Sequence, residues 1–161
     1  MPNRAAIQKA HELAVLNAAV EEHNRAHGLR LEVVERPDPP DAILSDGTIT
    51  TWLELTDAFF SGDWARDLFS HAADEPHRPM REGGYADMDA QLATRFCELV
   101  CDKASKDSYK PFIATYGPGI LVVGLESPWI GDETIAAIDR EWAARGKPDI
   151  SNTFSLSLIH I

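Results

Sequence analysis

The chain has 161 residues, 44% hydrophobic and 25% charged, which is the balance of an ordinary soluble globule long enough to bury one core. Its formal net charge of −11 argues against high-affinity, nonspecific nucleic-acid binding, which depends on Lys and Arg displacing counterions. No apolar run approaches the ~20 residues of a bilayer span, and the start MPNRAAIQKAHELAV reads as an amphipathic helix rather than an export signal. The expectation is a cytoplasmic protein with no membrane association.

Residues 4–27 read as a helix, with Ile7, Ala10, Ala14, Asn17 and Glu21 on one face and Leu13 and Val20 beside it. Gly28 ends it. Residues 31–34 form a short strand candidate. The prolines at 37, 39 and 40 then exclude a central strand, because proline lacks a ladder donor. A strand resumes over 41–44, and Asp46-Gly47 signals a hairpin. The strongest strand follows over 49–56, rich in Thr, Ile, Trp and Leu. On it Trp52, Glu54 and Thr56 point one way and Leu53 and Leu55 the other.

Downstream, residues 62–68 suggest a short helix. Residues 71–86, with two His, two Pro and two Gly, read as a long loop of the kind that is often functional. A second long helix is expected over 87–109, burying Leu92, Phe96, Leu99 and Val100. Cys97 and Cys101 sit four apart in it and read as small packing residues rather than a disulfide or metal site. The nearly all-apolar run 120–125 predicts a strand buried on both faces. Residues 131–145 predict a third helix, capped by Asp132 and striped by Ile135, Ile138 and Trp142. The tail FSLSLIHI suggests a last strand, completing the chain's own sheet or pairing with another copy. The order implies an α/β sandwich with a mixed sheet.

Two motifs carry the candidate chemistry. Pro40-Asp41 precedes the hairpin, and Glu54-Leu55-Thr56 lies on the strand after it. In this frame of helix, antiparallel strands, helix and further strand, the pattern resembles the PD-(D/E)xK nuclease superfamily, over roughly residues 4–128. Lys103, Lys106 and Tyr109, followed by a glycine-led apolar strand ending in Ser127-Pro128, add to the likeness. The resemblance implies one restriction-endonuclease-like domain over 1–161, a three-layer α/β sandwich with a mixed central sheet flanked by helices. It also implies a metal-dependent nuclease using Mg²⁺ or Mn²⁺. This chain departs from the motif at one position, where Thr56 stands in place of the lysine.

Asp41 and Glu54 are the expected catalytic pair and metal ligands, since two or three carboxylates suffice for a hard divalent cation. The competing reading of Asp41 is a strand-edge acid, and that of Glu54 a buried ion pair. Glu21 is the candidate third ligand, because many members of the superfamily take a carboxylate from the first helix. Lys103 is the candidate replacement for the lost lysine. It extends the stripe of Leu92, Phe96 and Leu99 and so faces inward, where its alternative role is to cover apolar surface with its stem. Lys106 and Lys110 lie near the helix end and read as solvated. His23 and His27 are spaced for a metal but lack an intervening HExxH acid and read as surface residues. His71 and His77, with Asp74 and Glu75, would need loop geometry to form a zinc site. Expected partners are DNA or RNA, disfavoured by the charge, or a basic protein bound by an inactive member of the same fold. A homodimer is a further possibility.

Overall fold

The computed structural model describes residues 4–72 and 76–159. Helix α1 (Arg4–His27) leads into three antiparallel strands, β1 (Glu32–Glu35), β2 (Ala42–Ser45) and β3 (Thr50–Phe59). Helices α2 (Gly62–Ala72) and α3 (Met88–Ala104) follow, then a 3-10 turn (Asp107–Tyr109) and α4 (Lys110–Tyr116). Strand β4 (Gly119–Glu126), helix α5 (Asp132–Ala144) and strand β5 (Phe154–Ile159) complete the order. The result is an α/β fold around an open, mixed sheet with spatial order β1-β2-β3-β4-β5. The first three strands pair antiparallel, and β4 and β5 add parallel to β3.

The hairpin between β2 and β3 forms because Asp46 Oδ1 accepts from the backbone N–H of both Thr48 and Ile49, at 2.9 and 2.8 Å. Gly47 supplies a φ of 87° there, a conformation that costs an L side chain about 1 kcal/mol or more. This turn fixes a register in which Ala42 faces Leu53 and Ile43 faces Trp52. The period of two then sorts each strand. Leu53, Ile120 and Val122 pack against Val15, Leu16 and Ala19 of α1, with Leu55 beside them. On the opposite face Trp52, Ala58, Leu121, Val123 and Leu125 pack against Leu92, Phe96 and Val100 of α3 and Ala137 and Ile138 of α5. Strand β4 is therefore buried on both sides, as its unbroken apolar run predicts.

Trp52 locks β3 to β4. Its indole N–H donates to the Gly117 carbonyl at 2.9 Å. Its ring lies so close over Gly119 that an added Cβ would fall 2.4 Å from Cδ2. Strand β5 pairs along β4 and occupies that edge of the sheet; His160 and Ile161 of the predicted tail strand lie outside the described residues.

Three expectations are corrected. The helix predicted over 87–109 stops at Ala104, and a separate helix begins at Lys110 with Pro111 in its first turn. Lys106 turns extended and so ends α3, while Pro111 is accommodated in the first turn of the next helix. The buried face of α1 is Val15, Leu16 and Ala19, while Ala10, Leu13, Ala14, Asn17 and Glu21 are exposed. Alanines spread round this helix blur its apolar stripe. Helix α5 is capped by Gly131 rather than Asp132. The Gly131 N–H donates to Thr134 Oγ1 at 3.2 Å, and the buried Thr134 hydroxyl donates to Asp89 on α3 at 2.6 Å. Ile135 of the expected stripe is exposed. Part of the expected 71–86 loop is ordered by Asp67, which accepts from the Met80 N–H at 2.8 Å and contacts His77 Nε2 at 2.8 Å. Asp74 and Glu75 lie outside the described residues. Among the described residues no helix is long and apolar enough to cross a membrane.

Candidate functional site

Glu54 sits in the middle of β3, on the face that meets α3, with only 7% of its side chain exposed. Burying a carboxylate there costs several kcal/mol unless it is paired and hydrogen-bonded. Two partners supply that. The Lys103 ammonium, in the last turn of α3, pairs with Glu54 Oε1. The Tyr109 hydroxyl donates to the same oxygen at 2.8 Å. Tyr109 is itself fixed by stacking on Trp52, with ring centroids 5.3 Å apart. Burial, then the bond to Glu54, pushes its phenol far above the usual range. The other carboxylate oxygen, Glu54 Oε2, is shielded from solvent and has no hydrogen-bond partner.

Asp41 stands at the start of β2, one residue before the Ala42–Leu53 register pair. Its Oδ2 accepts from the Leu55 N–H at 2.7 Å, serving a ladder donor that β2 no longer reaches. Burial lifts its carboxyl above the ordinary value. The bond from Leu55 lowers it, Glu54 raises it, Lys103 lowers it and Glu12 raises it. Asp41, Glu54 and Lys103 therefore share one electrostatic neighbourhood. The Lys103 ammonium also lies 3.5 Å from the Leu55 carbonyl, so it reaches the backbone between the two acids.

The structure keeps Glu21 apart from this group. It is exposed on α1 and lines neither pocket that opens on Asp41. The acid of α1 that does reach Asp41 is Glu12. It lies nine residues earlier, about 13 Å along the helix axis at 1.5 Å per residue. Sequence reasoning missed it because the wrong face of α1 was taken as buried. His11, next to it, was missed for the same reason. Lys106 and Lys110 are exposed, and Lys110 pairs locally with Asp107 at 2.7 Å.

Two pockets meet at Asp41 and Glu12. The larger, about 500 Å³, adds Gln8, Lys9, Arg36 and Asp38. The smaller, about 180 Å³, adds His11, Leu55, Thr56 and Asp57. Lys9 and Arg36 thus bring positive charge to the rim of an acidic cleft in a chain that is acidic overall. Glu54, on the face that meets α3, lines neither pocket; Asp41 is tied to it and to Glu12 by electrostatic influence, and Glu54 Oε2 is the oxygen left without a hydrogen bond. Cys97 and Cys101 are free thiols. Cys97 packs in the core, where burial lifts it to about 11.

No family model, curated protein or solved structure matches this chain.

Proposed function

We propose that this chain is a divalent-metal-dependent phosphodiesterase of the PD-(D/E)xK type, acting on DNA or RNA, whose lysine is supplied by α3 instead of β3. The observation that carries this reading is the Lys103 ammonium on Glu54, filling the role that Thr56 cannot. The element order supports it: a helix, three antiparallel strands, a helix, and a strand parallel to the third resemble a restriction-endonuclease-like core.

In this reading Asp41 and Glu54 hold Mg²⁺ or Mn²⁺, with Glu12 in the place expected of Glu21. The metal, when bound, polarises the phosphate and lowers the pKa of an attacking water. Lys103 orients that water and offsets charge developing on the phosphate. Tyr109 holds the Glu54 carboxylate in one orientation. Lys9 and Arg36 contact flanking phosphates as charged donors.

The test is cleavage of plasmid and single-stranded DNA and of RNA with Mg²⁺ or Mn²⁺. Asp41→Asn is expected to lower the rate by about 100-fold or more, the scale on which a site loses a metal ligand or a general base. A wild-type protein inert with both metals on all substrates, or an Asp41→Asn variant as active as wild type, overturns the reading.

A second reading is a non-catalytic module of the same fold that binds a basic protein. It is favoured by the net charge of −11 and by Glu54 Oε1 being engaged by both Lys103 and Tyr109. Calorimetry separates the two. Mn²⁺ binding that Asp41→Ala diminishes supports the enzyme, and Mn²⁺ binding that is absent or unchanged by Asp41→Ala supports the module.

A further inference from the structure

On the α1 face of the sheet, three side chains that the site above does not use meet at one point. Asp57 follows Leu53 and Leu55 on β3, and Glu126 follows Ile120 and Val122 on β4, so the period of two turns both acids toward α1. His11 comes down on them from α1, one turn before Val15. Its Nε2 lies 3.4 Å from Asp57 Oδ2 and 3.7 Å from Glu126 Oε1. One ligand atom from each residue falls within 4.8 Å of the other two.

These separations are informative. An N–H···O hydrogen bond spans ~2.7–3.2 Å, and these contacts are longer. Two donors each about 2.1 Å from one metal, at a tetrahedral angle, lie about 3.4 Å apart. The His11 Nε2 atom is also shielded from solvent and makes no hydrogen bond. Its neighbours are the two carboxylates, held just beyond hydrogen-bond length, an arrangement that a cation seated among the three would complete.

Gly124 supplies an independent observation. A Cβ at this position would fall 2.4 Å from Asp57 Oδ1 and 3.5 Å from Glu126 Oε1. The glycine lies on β4 directly beside Asp57 in the register. Its missing side chain is what lets the Asp57 carboxylate lie across the sheet toward Glu126.

We propose that His11, Asp57 and Glu126 bind one divalent transition-metal cation, Zn²⁺ foremost. One imidazole and two carboxylates make a nitrogen–oxygen donor set that favours Zn²⁺ over Mg²⁺, which prefers oxygen alone and retains its waters. Three protein ligands leave a coordination position open, as in catalytic rather than structural zinc sites. His11 and Asp57 both line the pocket of about 180 Å³ that Asp41 also lines. The site stands independently of the phosphodiesterase reading, since it shares no ligand with Asp41 and Glu54.

Isothermal titration of the metal-free protein with Zn²⁺, Mn²⁺ and Mg²⁺ tests it, with far-UV circular dichroism as the folding control. The expected result is one Zn²⁺ per chain, bound far more tightly than Mg²⁺. His11→Ala, Asp57→Asn and Gly124→Ala each weaken it by at least about tenfold, the scale of disturbing a metal's ligand set. Asp41→Asn and Cys101→Ser leave it unchanged, which separates this site from the Asp41 site and from the thiols. Co²⁺ gives a second readout that needs no variant: visible bands of a nitrogen–oxygen site without thiolate charge transfer. A folded wild-type protein that binds no Zn²⁺ overturns the proposal. So does binding undiminished in His11→Ala, binding lost in Cys101→Ser or His77→Ala, or a thiolate band with Co²⁺.

Discussion

The Lys103 ammonium on α3 pairs with Glu54 Oε1 on β3 across 49 residues of sequence, and both side chains are largely withdrawn from solvent. Such a pair is expensive to break from one side. Lys103→Met leaves a buried carboxylate held by Tyr109 alone, and the expected loss is about 3 kcal/mol. The double variant Lys103→Met, Glu54→Gln removes both charges and should recover most of that loss. Urea unfolding of the four proteins in the cycle gives the coupling directly. Additive single-variant effects would show that the two groups do not act as a pair.

Tyr109 gives the same cluster a signature at alkaline pH. Burial and the bond to Glu54 raise its phenol above the unfolded value of about 10. The folded state therefore holds this proton more tightly than the unfolded state. The resulting stability is fully present below pH ~10 and is lost as pH rises beyond it. Wild-type stability should fall steeply above pH ~10, whereas Tyr109→Phe should start about 1.5 kcal/mol lower, the worth of a hydrogen bond to a charged group, and fall less steeply. Urea midpoints across this range decide it, and parallel pH profiles would refute the assignment.

How much of this was legible in the sequence differs by element. Helix α1, the Asp46-Gly47 hairpin and the β4 run announce themselves through local chemistry, and the structure places them within a residue of the expected bounds. The inward direction of Lys103 was readable because it continues the stripe of Leu92, Phe96 and Leu99 by a further four residues. Helix α1 offers no such stripe. Alanines at 5, 6, 10, 14, 18 and 19 fit several faces equally, so burial of Val15, Leu16 and Ala19 is decided by the sheet rather than by the helix. Glu12 and His11 became visible only once that face was known. The meeting of His11, Asp57 and Glu126 was beyond any local pattern, because it depends on β4 adding parallel to β3. The break after Ala104 had no local signal: Pro111 lies beyond the expected helix, and the chain leaves α3 where Lys106 turns extended.

Gly119 tests how tightly the start of β4 is held. Any Cβ there would overlap the Trp52 ring at 2.4 Å, and Trp52 is fully buried and hydrogen-bonded to the Gly117 carbonyl. Gly119→Ala must displace the ring or the strand, and overpacking of this kind costs about 3 kcal/mol. Trp52 also stacks on Tyr109, so the same change should weaken the Tyr109 bond to Glu54 and lower any metal affinity at Asp41. Thermal unfolding followed by tryptophan fluorescence measures the first effect. A variant as stable as wild type would show that the ring does not rest on Gly119.

Asp41 is expected to stabilise the protein less than its neutral analogue does. Its carboxyl is lifted by burial and by Glu54, against the bond from Leu55 and the charge of Lys103. The folded value lies above the unfolded one, about 3.9. Its contribution is therefore fully present below that pH and declines as pH rises through the folded value. Asp41→Asn keeps an oxygen to accept from the Leu55 N–H but has no charge to bury. It should be more stable than wild type at neutral pH, with the difference disappearing toward pH ~4. Added Mn²⁺ should reverse the order, because only the carboxylate gains a cation and binding to the folded state alone raises stability. Urea midpoints of the two proteins with and without Mn²⁺ measure both effects. An Asp41→Asn variant less stable than wild type at neutral pH without metal would mean that the carboxylate is retained for its backbone bond. A gain without any Mn²⁺ reversal would mean that its charge does not serve a cation.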